Sequence, residues 1–96
     1  MKVNLTAVLK DDKGIEVEDG SLKTLLVNAL FSNLKGDETL DGKKKYEMYT
    51  LSKKISEAEE EVELSAEEIT LLKDRVGKAY VVLFMGQIWD MLEGKA

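Results

Sequence analysis

The spacing of hydrophobic residues changes once near the start of this chain, and that change constrains the fold more than any other feature. Over residues 2–9 the spacing is two. Val3, Leu5, Ala7 and Leu9 point one way, Asn4 and Thr6 the other, as in a half-buried strand. Asp11-Asp12-Lys13-Gly14 supplies turn chemistry and Ile15-Glu16-Val17-Glu18 alternates again, so a β-hairpin is predicted. From Leu22 the spacing becomes helical. Leu22, Leu25, Leu26, Ala29 and Leu30 form one stripe, with Val27, Phe31 and Leu34 beside it. Ser21 is placed to cap this helix and Gly36 to stop it. Its circumference is mostly apolar, so it should be the central, buried helix.

After a polar connector at residues 37–41, a second helix is expected from about Gly42 to Ala58. Met48, Leu51, Ile55 and Ala58 form its narrow buried stripe, and Lys43, Lys44, Glu47, Lys53 and Lys54 cover its other faces. Val62 and Leu64 alternate with Glu61 and Glu63, which leaves room for a third short strand against the hairpin. Ser65 and Glu68 then have capping-box spacing, and Leu64 and Ile69 stand where a hydrophobic staple belongs, so a third helix begins there.

Two apolar stripes follow. Ile69, Leu72, Val76, Ala79 and Tyr80 make the first, and Val81, Met85, Ile88 and Leu92 the second. At ~100° per residue they differ by roughly half a turn. One straight helix cannot dock both on one surface. A break between about Lys78 and Val82 is favoured, with Gly77 lowering its cost, followed by a C-terminal helix to about Glu93. The reading is a single α+β domain over residues 1–96: an N-terminal β-hairpin, with that third strand, packed on about four α-helices.

Composition removes several chemistries. The chain has no cysteine and no histidine, so disulfides, thiolates and the commonest general base and metal ligand are all missing. No cofactor is expected. The N-terminal segment is too polar for a signal peptide, and the longest apolar run, Ala79 to Gly86, is too short to span a bilayer. A cytoplasmic setting without membrane contact is expected. The net charge of −5 resides in one strip, since residues 57–68 hold seven glutamates and no basic residue. An acidic total disfavours direct nucleic-acid binding.

Four features were candidates for chemistry or recognition. The acidic patch Glu57, Glu59, Glu60, Glu61 and Glu63 reads first as a solvated connector, with Glu67 and Glu68 serving the helix dipole. It reads second as a mimic of nucleic-acid phosphate and last as a cation site. The carboxylate pairs Asp11/Asp12, Glu16/Glu18 and Asp37/Asp41 lie in polar, turn-rich sequence and read as solvated rather than catalytic. Ser21 and Ser65 read as caps, and Ser52 cannot face the adjacent Lys53 on a helix. No enzyme is expected. Tyr80, Phe84, Met85, Ile88, Trp89 and Leu92 divide evenly between internal packing and an interface, because aromatic residues and methionine gather at interface centres. The apolar excess of Val82, Leu83, Phe84 and Trp89 exceeds what a terminal helix of a small monomer needs.

The segments Val62 to Ile69, Leu71-Leu72-Lys73, Val76 to Tyr80 and Gly86 to Gly94, with the opening KVNLTAVLKDDKG, resemble small acidic proteins encoded in tailed-phage and prophage genomes. The resemblance covers nearly the whole chain. It implies a cytoplasmic protein made during infection or from a prophage, and it supplies no catalytic residues. The family is associated with proline at the positions of Val81 and Val82, and valine there removes that reason for a helix break. The expected function is a non-enzymatic accessory protein acting by protein–protein contact on a phage or host protein. It self-associates, a dimer being favoured, through the C-terminal helix. The alternative is an inhibitor of a host defence or nucleic-acid-binding protein that uses the acidic strip as the phosphate mimic.

Overall fold

A computed structural model describes residues 1–94. In chain order the elements are β1 (Lys2–Asn4), β2 (Val8–Lys10), β3 (Glu16–Ser21), α1 (Leu22–Phe31), a 3-10 turn (Asp37–Thr39), α2 (Gly42–Glu57), β4 (Glu61–Glu63), α3 (Ala66–Ala79) and α4 (Val82–Leu92). The α+β reading holds: an antiparallel hairpin, a further strand pair and four helices.

The alternation over residues 2–9 is real in burial, since Val3, Leu5 and Leu9 are all buried. It is not one strand. The Asn4 side chain accepts bonds from the Thr6 N–H at 2.9 Å and the Thr6 hydroxyl at 2.7 Å, an Asx turn that competes with the ladder. The chain therefore divides into β1 and β2. β2 pairs with β3 as the hairpin, with Val8 opposite Ser21, Lys10 opposite Glu16 and a register shift between them. Asp11 shapes the turn by accepting from the Lys13 and Ile15 amides. β4 pairs antiparallel with β1, Val3 facing Val62. The third strand thus forms, but its partner is the segment before the hairpin. At the break the ladder is replaced: Leu5 N–H donates to the Glu60 carbonyl, and the Ala7 carbonyl accepts from Leu22 N–H.

α1 is the central helix, packed against α2, α3 and β3. It ends at Phe31, five residues before Gly36, which instead takes φ 93° ahead of the 3-10 turn. α2 begins on Asp41, whose carboxylate accepts from the Lys44 amide, and it buries Met48, Leu51 and Ile55 as its stripe requires. Both bonds of the Ser65–Glu68 capping box are present, and Lys54 reaches the same Glu68 carboxylate at 3.0 Å.

The break falls at Tyr80 and Val81, both extended with ψ of 154° and 164°. Those two residues redirect the chain, so that Leu72 and Val76 of the first stripe and Ile88 and Leu92 of the second all reach one core. The break lies inside the expected window between Lys78 and Val82, and Gly77 stays within α3.

Because Ser65 supplies a first-turn bond that α3 otherwise lacks, Ser65→Ala should lower the unfolding free energy by about 1 kcal/mol. Ser56→Ala, at an exposed position of α2, should stay within about 0.5 kcal/mol of the parent. Urea titration followed by circular dichroism measures both.

Candidate interaction surface

The C-terminal helix α4 packs on α3 and reaches across to β1 and β2. Six residues on or beside it were the predicted interface, and the structure divides them. Ile88 and Leu92 are 0% exposed. They belong to the core and are removed from the interface set. Phe84 and Met85 are half-buried against the same core. Tyr80 is half-buried, and its hydroxyl donates to the Leu25 carbonyl at 2.7 Å, while burial pushes its pKa up. Only Trp89 remains near the surface, 36% exposed.

Even Trp89 is held by its own subunit. Its indole N–H donates to the Lys73 carbonyl at 3.2 Å, and the Lys73 ammonium stands 5.1 Å from the ring centroid. The same ammonium pairs with Glu93. A Cβ placed on Gly77 would lie 3.8 Å from the indole, so the ring crosses α3 at its glycine. Gln87, on another side of α4, ties the helix to β2 by exchanging bonds with the Lys10 amide and carbonyl.

What remains on the outward face is apolar except for Asp90. Val82 is 81% exposed, and Val81 and Leu83 are exposed beside it. Gly86 follows one turn later and Trp89 after that. Of the predicted apolar excess, Val82, Leu83 and Trp89 are exposed, whereas Phe84 packs against the core.

The acidic patch lies at the corner between α2 and β4. Glu57, Glu59, Glu60, Glu61 and Glu63 are all exposed. Glu63 accepts from the Met1 amino group at 2.8 Å, which holds its pKa below the usual carboxylate range. For Glu68, burial pushes upward, but the Ser65 amide and Lys54 outweigh it and the net shift is downward. Among the described residues no group of three or more acidic side chains could hold a metal ion, and no helix is long and apolar enough to cross a membrane.

Two features escaped the sequence. One is an exposed tyrosine pair on α2, Tyr46 and Tyr49, whose rings are 6.1 Å apart, with the exposed Phe31 lining the same surface depression as Tyr49. The i, i+3 spacing of the tyrosines was its signal. The other corrects the reading of Asp37 as a solvated carboxylate. Arg75 of α3 is 2% exposed. Its guanidinium donates to Asp37 at 2.6 and 3.1 Å, to the Ser32 carbonyl at 2.7 Å and to the Ala29 carbonyl at 3.2 Å. Nothing in the spacing around Arg75 distinguishes it from a surface residue.

Comparison with family models, curated proteins and solved structures gives no match.

The Arg75 hydrogen bonds, with a further one from the Leu34 amide, hold the Asp37 pKa at about 2, below its ordinary 3.8. A carboxyl lowered in the folded state stabilises above its unfolded pKa and loses that contribution as pH falls through the folded one. Asp37→Asn should therefore remove part of the stability loss between pH 3.8 and about 2, read from thermal unfolding at stepped pH. Arg75→Ala leaves the same carbonyls and Asp37 without their donor and should cost on the order of 3 kcal/mol at pH 7.

Proposed function

We propose that this chain is a non-enzymatic protein that works by protein–protein contact and self-associates, as a dimer, through the outward face of α4. The observation that carries the reading is Val82, 81% exposed at the head of a helix whose outward side continues through Leu83 to Trp89. Exposed aliphatic and aromatic groups gathered on one helix face lose free energy to water and recover it against a partner. The internal core does not need them, because Ile88 and Leu92 already fill α4's place there.

The polar groups support a non-catalytic role by the tasks they perform. Ser21 and Ser65 accept from the first turns of α1 and α3. The buried Ser52 hydroxyl donates to the Tyr49 carbonyl. The Asp37 carboxylate, 14% exposed, is occupied by Arg75. On the resemblance of residues 62–94 and of the opening segment to phage and prophage proteins, the proposed setting is the cytoplasm of an infected or lysogenic bacterium. The partner there is a phage or host protein met during assembly or host takeover. The acidic corner adds no second reading, since its carboxylates are exposed and Glu63 is already paired with the Met1 amino group.

Val82→Glu places a charge on the exposed face without touching the core. It is expected to lower the mass found by light scattering to that of one chain, with the helical circular dichroism unchanged. Trp89→Ala should also lower the mass, although it costs stability through the lost contacts to α3. An unchanged mass for Val82→Glu removes this face from consideration.

A further inference from the structure

Gly86 sits in the middle of α4 and has no purpose within its own subunit. Its φ is not positive, and a Cβ built on it meets no atom within 4 Å. Glycine is among the least favourable residues inside a helix. Alanine would fit and would strengthen the helix. The remaining physical reason for glycine is close approach of another backbone.

The surroundings say what kind of backbone. At ~100° per residue, Val82, Leu83, Trp89 and Asp90 surround Gly86 on the outward arc. Val82, Leu83 and Trp89 are exposed apolar groups. Asp90 is exposed and makes no ion pair among the described residues. The N-terminus of α4 carries the complementary charge. Its cap residue is Val81, whose carbonyl accepts from the Phe84 and Met85 amides but whose side chain offers no bond, so the partial positive charge at the Val82 and Leu83 amides is met by no capping side chain.

We infer that α4 pairs with α4 of a second copy, antiparallel, about a two-fold axis at Gly86. This rests on the self-association reading and specifies its geometry. Under that operation residue 86+k meets residue 86−k of the other copy. Trp89 meets Leu83, which joins the two halves of the apolar face. Asp90 meets Val82, the first helical residue, and its carboxylate comes to the uncapped amides there, as a capping aspartate does. The contact is isologous, so both ends gain the same complement. Parallel pairing would instead set Asp90 beside its own copy and leave both N-termini unanswered. A helix of about 16 Å offers a small contact, so the dimer should be weak and concentration-dependent.

The absence of native cysteine makes single-cysteine variants direct reporters. Val82→Cys mixed with Asp90→Cys should form a disulfide-linked mixed dimer under mild oxidation, identified by mass. Val82→Cys alone should link to itself far less, since its two copies stand about 12 Å apart along the axis. Gly86→Leu should weaken the dimer at least about tenfold in sedimentation equilibrium, with circular dichroism confirming the helix. Should the parent dimerise while Val82→Cys links chiefly to itself, while the mixed disulfide fails to form, or while Gly86→Leu dimerises as well as the parent, the antiparallel assignment is overturned and self-association stands. A parent that stays monomeric from about 1 µM to about 1 mM overturns both.

Discussion

The guanidinium of Arg75 is the interaction on which the helical half of this fold depends. α1 ends without the usual devices. It has no left-handed glycine at its C-terminus and no basic residue in its last turn. Ser32 meets the Asn28 carbonyl through its amide and hydroxyl, but the carbonyl of the buried Ala29 needs a donor from elsewhere, and leaving it without one is costly. Arg75 reaches over from α3 and serves Ala29 and Ser32. Its charge is balanced by Asp37 from the 3-10 turn, and Asp37 in turn accepts from Leu34. One side chain thus fixes the end of the central helix, the path of the connector and the position of α3. It also explains why a buried cation is tolerated here: its donors meet matched acceptors, and no buried side-chain polar atom among the described residues lacks a partner.

With α3 fixed, the break at Tyr80 and Val81 determines what α4 can do. The two extended residues redirect the helix so that Ile88 and Leu92 return to the core beside Leu72 and Val76. Tyr80 is anchored at the break by its bond to Leu25, and Gln87 fixes the far side of α4 to β2. These constraints leave α4 one rotational setting about its axis. In that setting Val82, Leu83 and Trp89 face outward as a consequence of where the other residues must go.

Much of this was legible in sequence because it is local. The Ser65–Glu68 box, the Asp11–Gly14 turn, the extent of α2 and the half-turn conflict between the two C-terminal stripes all depend on residues within a few positions of each other. Two local features escaped, the Asn4–Thr6 turn that divides β1 from β2 and the Tyr46–Tyr49 pair, but most of what escaped was non-local. The pairing of β4 with β1 joins residues some sixty positions apart, and alternation cannot say which of two candidate strands a third will choose. The ending of α1 at Phe31 depends on a donor from α3. Arg75 is the chain's only arginine, which sets it apart from the lysines, but its acceptors lie some forty positions away and no local spacing points to them. The interface set failed in part for the same reason. An apolar stripe marks one face of α4 but not whether that face turns inward, and Ile88 and Leu92 turned inward.

The division of α4's apolar residues bears on function because the two groups answer different demands. Ile88 and Leu92 are fully enclosed, so the fold alone accounts for them. Val82, Leu83 and Gly86 are not used by the fold. A polar residue at Val82 would suit a water-facing first turn better, and serine or aspartate at Val81 would cap the helix that valine leaves open. Three successive positions, Val81 to Leu83, thus depart from what a solvated helix start favours, and one turn later Gly86 departs from what a helix interior favours. Val82, Leu83 and Gly86 lie on the side of α4 turned away from its core, and that side is the one on which the proposed self-association rests.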